Sequence, residues 1–259
     1  MTLVDTPSRD ATPGSSIAGE MTWLEHLGEL RRRLLLCLAA LAAGTVLAWF
    51  LYDHLLGFMI SPYRQYLAHH PGQNISRGNL ITTGPLEGFT TRLKVSGYAG
   101  AVIAAPVWIW QTWRFIAPGL HKNERRYSVA FAVTAIGLFG LGVATAVLVF
   151  PKAVDWMISV SGSGIAPLFS PSRYLGLYTM ACVVFGAVFT YPVFLVGLEV
   201  TGLVSSRQLR QWRRYAIVVC CAIAAVITPS SDPFSFLAMA VPMIVFYEAS
   251  ILAGRLMGR

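Results

Sequence analysis

The sequence predicts an all-α polytopic membrane protein with six transmembrane helices, and three observations carry that prediction. Of the 259 residues, 55% are hydrophobic and only 12% are charged, whereas an ordinary soluble domain is roughly 45–50% apolar and about 25% charged. The apolar residues gather into six long runs. Lys and Arg fall in short clusters between those runs, so the net charge of +8 reads as a membrane-surface signal. It is not the continuous basic face that a nucleic-acid partner requires.

Taken in order, residues 1–20 carry Pro7, Pro13 and Gly14 and no apolar period, so they are expected as a flexible cytoplasmic tail. A single membrane domain over 21–255 follows, with 256–259 as a short cytoplasmic end. Thr22 to Arg33 reads as an amphipathic interfacial helix, with Trp23, Leu24, Leu27, Leu30 and Leu34 on one stripe and Glu25 and Glu29 opposite. The spans are expected at Leu34–Tyr52, Val95–Ile116, Tyr127–Phe150, Tyr174–Val200, Tyr215–Ile227 and Phe234–Leu252. The first is read as a retained helix, because no small-residue cleavage site follows it.

Orientation follows from the basic residues. Arg9, Arg31, Arg32, Arg33, Arg114, Lys122, Arg125, Arg126, Arg207, Arg210, Arg213, Arg214, Arg255 and Arg259 lie on one side of the alternating spans. Arg64, Arg77, Arg92, Lys94, Lys152 and Arg173 lie on the other. Fourteen against six puts both termini in the cytoplasm. The fifth run stops at Thr228-Pro229 after about 20 Å of helix, short of a hydrocarbon core of roughly 30 Å. A turn from Thr228 to Pro233 then leads into a sixth run holding Pro242 and Glu248, so the last two helices are expected as a short hairpin that thins the bilayer.

Several chemistries are excluded. His26, His54, His69, His70 and His121 all lie outside the apolar runs, and Cys37, Cys182, Cys220 and Cys221 all lie within them. No intramembrane Ser-His dyad, zinc helix or disulfide framework can be assembled, and no P-loop is present. No catalytic residue, metal or cofactor is expected. What remains is a set of carboxylates at defined depths. Glu25 completes a capping box with Thr22, and Glu29 can pair with Arg33 four residues on. Glu124, with Asn123, can cap the third span. Yet Glu29 and Glu124 stand beside the densest cytoplasmic basic clusters on the same membrane face, where two carboxylates could grip two guanidiniums through bidentate bonds. Glu199 and Glu248 read as interfacial or structurally paired groups, Asp232 as a cap for the last helix, and Glu87 with Arg92 and Lys94 as an outer charge cluster.

Six segments then carry a family resemblance. His26-Leu-x-Glu29-Leu-Arg31-x-Arg33, Pro85-x-Glu87-x-Phe89 with Lys94, and Gln111-x-Trp113-x-Phe115-x-x-Pro118-Gly119-Leu120 with Glu124-Arg125-Arg126 come first. Ser172-x-Tyr174, Thr228-Pro229-x-x-Asp232-x-x-Ser235 and Pro242 with Tyr247-Glu248 complete the set. Together, in this order over residues 21–255, they resemble TatC, the receptor subunit of the twin-arginine protein translocase.

The resemblance implies a cupped, glove-shaped bundle in the bacterial inner membrane that binds twin-arginine signal peptides of folded cargo. It also implies recruitment of the single-span proteins TatA and TatB, driven by the proton-motive force, and further copies of the chain in one complex. By motif position it implies Glu29 and Glu124 as recognition carboxylates, framed by Arg31, Arg33, Phe115 and Pro118. Pro62, Glu87, Phe89, Tyr174, Thr190 and Asp232 would serve assembly and partner contact. Two positions depart from the family pattern: Thr190 stands where a Glu is common, and Phe236 where a Gln is often found. The alternative from another class is a proton-coupled small-solute transporter using Glu199, Glu248 or Asp232. No internal repeat and no common midplane depth support it.

Overall fold

The computed structural model describes residues 23–69, 80, 82, 84–116, 128–160, 169–200, 202, 204–228 and 232–256. All regular structure in them is helical: α1 (Trp23–Phe50), α2 (Tyr52–His69), α3 (Glu87–Ile103), α4 (Ala105–Ile116), α5 (Ser128–Val160), α6 (Pro171–Phe189), α7 (Tyr191–Val200), α8 (Ser206–Ile227) and α9 (Pro233–Leu256). The expected tail at 1–20 lies outside the described residues.

Two of the expected spans are broken helices, each at a proline. Pro106 cannot donate to Val102 and its ring crowds that carbonyl, so the second span is split at Ala104 into α3 and α4, bent by 51°. Pro192 does the same to the fourth span at Thr190, separating α6 from α7. By contrast, α1 is continuous for 28 residues. The segment expected as an interfacial helix at 22–33 therefore runs on into the first span.

Helix α2 has no counterpart in the expected spans. Its sequence mixes Asp53, His54, Ser61, Arg64 and Gln65 with apolar residues, so it lacks the long apolar run that betrays a span. Its buried side chains Met59, Ile60 and Tyr63 nonetheless pack into the main core with Phe150, Val154, Tyr174 and Tyr178.

The last hairpin differs from expectation at both arms, since α8 is 22 residues and α9 24. α9 runs 24 residues through Pro242, about 36 Å, so the sixth helix is not short; it starts at a proline and ends past Arg255. α8 also starts earlier than expected, because Ser205 and Gln208 form a reciprocal capping box. Only its second half is apolar. Four helices are long and apolar enough to cross a membrane, Leu27–Phe50, Val129–Val160, Pro171–Val200 and Pro233–Arg255, and the bent α3–α4 pair makes a fifth. α8 falls short of that standard, so these residues supply four or five spans by length and composition.

Small residues let the helices meet closely. A side chain on Gly100 would come within 2.5 Å of the Thr45 backbone nitrogen, and one on Gly142 within 2.4 Å of the Phe185 carbonyl oxygen. These close approaches lock α3 to α1 and α5 to α6. A second core around Trp113, Ile109, Ala132, Phe139 and Val193 joins α4, α5 and α7. A third, of Leu209, Tyr247 and Ile251, joins α8 to α9.

Candidate functional site

The site begins where α1 passes α4. Arg33 directs its guanidinium at two partners: Nε donates to Glu29 Oε1 at 3.0 Å, and Nη2 donates to the same oxygen. Its third nitrogen, Nη1, donates to Gln111 Oε1 at 3.4 Å, across 78 residues of sequence. The Arg33 and Glu29 side chains are 14% and 26% exposed, so this is a partly buried polar node. Arg31 beside it is exposed, as is Arg32.

α4 holds its side of the node through Trp113. The Trp113 ring stacks between Phe131 at 5.4 Å and Phe194 at 5.2 Å, and Gly197 leaves room for its far edge. Phe115, half-buried, follows one turn after Gln111. The structure thus brings Glu29, Arg33 and the Gln111-to-Phe115 segment to one corner. Pro118 and Glu124 lie outside the described residues.

The remaining site residues serve different places. Glu87 accepts from the Ser170 hydroxyl and, at 3.5 Å, from the Ser172 backbone N–H, while Lys94 donates to Ser172 Oγ at 3.2 Å. A carboxylate from α3 therefore sits at the N-terminus of α6, where helix charge favours it. Of the expected outer cluster, Glu87 and Lys94 meet at Ser172. Arg92 turns instead to α1, donating to the Trp49 carbonyl at 3.0 Å and lying 4.7 Å and 5.0 Å from the Trp49 and Tyr52 rings. Phe89 is 60% exposed and meets Trp49 edge-on at 6.2 Å.

Tyr174 is buried, and its hydroxyl donates to the Met59 carbonyl at 3.2 Å. With Tyr63 at 5.8 Å and Phe150 at 5.5 Å it fastens α2, where Pro62 is half-buried. Thr190 is also buried. Its hydroxyl donates to the Ala187 carbonyl at 2.6 Å, so the hydroxyl is taken up at the helix break. Asp232 Oδ1 accepts the Ser235 N–H at 2.7 Å, the cap that its position predicted.

Two carboxylates of the alternative transporter reading are also placed. Glu248 is gripped by Arg213 through Nε at 2.5 Å and through Nη2, which holds the guanidinium's proton more firmly than usual. Glu199 is wholly buried where α7, α8 and α9 converge. A side chain on Gly254 would fall within 2.4 Å of Ser206 Oγ and 2.5 Å of Glu199 Oε1. Neither Arg213 as the partner of Glu248 nor Gly254 beside Glu199 is marked by any local spacing, because each meets its partner across separate helices.

Similarity to known proteins decides what frame these residues belong to. The family model described as Sec-independent protein translocase protein (TatC) matches residues 25–242. The chain belongs to the TatC family. A TatC protein of Frankia casuarinae is 35% identical over 243 residues, covering 92% of this chain and 67% of that protein. One of Corynebacterium kroppenstedtii is 35% identical over 260 residues, covering 93% and 63%. This chain therefore spans about two thirds of the length of those two relatives. One of Koribacter versatilis is 36% identical over 233 residues, covering 89% and 84%. Two crystal structures of a twin-arginine translocase receptor, TatC, have the same fold. One superposes with a TM-score of 0.74 at 32% identity, over 91% of this chain and 100% of the other. The second, in DDM, gives 0.73 at 31%, over 89% and 99%. As a TatC-family protein with several membrane-type helices, this is a multi-pass membrane component of a Sec-independent protein translocase.

Proposed function

We propose that this TatC-family chain is the signal-peptide receptor and scaffold of a twin-arginine translocase in the bacterial cytoplasmic membrane. It binds the paired arginines of signal peptides on folded cargo, with Glu29 and Glu124 as the carboxylates and Arg31, Arg33, Phe115 and Pro118 around them. It then recruits TatA and TatB, with further copies of itself, through surfaces that include Pro62, Glu87 and Phe89, with the buried Tyr174, Thr190 and Asp232 holding the helices behind them in place. Six spans in a cupped bundle and both termini in the cytoplasm complete this reading.

The observation that carries the reading is the node of Glu29, Arg33 and Gln111. It joins two motif segments 78 residues apart and holds a carboxylate already in contact with a guanidinium, the group the proposed ligand would bring. The transporter alternative finds less support, since Glu248 is taken up by Arg213 and Asp232 by a helix cap. Binding of the purified protein to a twin-arginine peptide, beside the same peptide with two lysines, tests the proposal. Equal charge leaves planar bidentate geometry as the difference, so the arginine peptide is expected to bind about tenfold or more tightly. Equal affinities would overturn receptor recognition by these carboxylates.

A further inference from the structure

Resting on the assignment of Glu29 to guanidinium recognition, we propose that Arg33 is an internal competitor for that carboxylate and sets the affinity threshold of the site. An i,i+4 pair on an open helix face is a weak and shifting contact. This one is different in three respects: the arginine is 14% exposed, two of its nitrogens converge on one oxygen, and the third is anchored on α4 by Gln111. The guanidinium is thereby held from two helices. It presents to Glu29 the same planar donor edge that an arginine of a bound peptide presents.

Two guanidiniums cannot both place two nitrogens on Glu29 Oε1, so a peptide arginine that takes this oxygen takes it by exchange. The incoming cation takes the oxygen, and Arg33 swings off it toward solvent. Since charge-assisted bonds at the carboxylate are replaced rather than added, the net affinity is only what survives displacement of the resident group. In population terms, the competent state is the fraction of molecules in which Arg33 has let go, and apparent affinity is reduced by that fraction. The reduction is common to every cationic ligand. Arg33 therefore lowers the affinity for arginine and lysine peptides by the same factor and leaves their ratio to the geometry of the carboxylates.

The test uses the full-length protein in detergent and compares the twin-arginine and twin-lysine peptides on the parent, Arg33→Gln, Arg33→Lys and Glu29→Gln, with melting temperatures recorded for each. Arg33→Gln is expected to tighten both peptides in parallel, by about three- to tenfold. Arg33→Lys keeps the charge but loses the fork, and is expected to tighten both by a smaller factor. Gln111→Ala, which removes only the α4 anchor, should shift in the same direction and serves if Arg33→Gln does not fold. Weaker binding in the Arg33 or Gln111 variants would overturn the proposal. So would Arg33→Lys matching the parent while Arg33→Gln gains, which would mark plain charge repulsion. If Glu29→Gln leaves affinity unchanged, the recognition reading itself fails; if Glu29→Gln weakens binding and Arg33→Gln does too, only the competitor role fails.

Discussion

Two arginine–glutamate pairs, one in α1 and one between α8 and α9, use the same groups to different ends. Arg213 meets Glu248 nitrogen for oxygen, Nε to Oε1 and Nη2 to Oε2, with side chains 56% and 35% exposed. That fork is complete within the chain and ties one helix to the next. Arg33 instead places two nitrogens on a single oxygen of Glu29 and spends its third on a neutral amide, in a setting only 14% and 26% exposed. A matched pair is a joint, whereas a guanidinium shared between a carboxylate and an amide is the arrangement that the proposed exchange uses.

The comparison can be broken from the α8–α9 side first, where the largest effect is expected. Gly254→Leu drives a side chain into Ser206 and Glu199 and should destabilise the protein by about 3 kcal/mol, read as a lower melting temperature. The molecules that remain folded should bind twin-arginine peptide at the parent affinity. Next, Glu29→Ala removes the α1 carboxylate. It should weaken peptide binding by about 1.5–3 kcal/mol, roughly ten- to a hundredfold, with little change in melting temperature. The proposal assigns Glu124→Ala the same outcome; parent affinity in both folded variants would end the carboxylate assignment.

A smaller effect sharpens the contrast at the other end of α9. Asp232→Ala deletes the cap on the Ser235 N–H and should lower stability by about 1 kcal/mol, leaving peptide binding intact. Lost binding with assembly retained would contradict a role for Asp232 after recognition. The smallest change is expected for Glu248→Ala, because exposed ion pairs contribute little. A double-mutant cycle with Arg213→Ala should show that the second substitution adds almost nothing to the first. Peptide affinity should not move in any of the four proteins of that cycle.

How much of this was legible in the sequence depended on the kind of signal each part leaves. Long apolar runs announced α1, α5, α6–α7 and α9, because lipid demands a continuous stretch of side chains without charge. The capping role of Asp232 and the pairing of Glu29 with Arg33 were also readable, since both are local spacings. α2 was not readable. Its one apolar run, Leu55 to Ile60, is too short to mark a span, and Met59, Ile60 and Tyr63 gain their importance only from Tyr174, Phe150 and other partners far along the chain. The breaks at Ala104 and Thr190 left a mark in Pro106 and Pro192, yet a window of hydropathy runs straight across both.

Sequence alone determined that this is a helical membrane protein, where most of its apolar helices run, and, through its ordered motifs, its resemblance to the TatC family. Those properties follow from composition and from short-range spacing, which are written residue by residue. Only the tertiary structure decided that Arg33 reaches Gln111, that Arg92 leaves Glu87 for the Trp49 carbonyl, that Thr190 turns its hydroxyl to its own backbone, and that Glu199 lies buried against Ser206 and Gly254. A charged side chain has several partners within reach of its own helix. Which one it takes is set by the neighbouring helix that packing brings alongside.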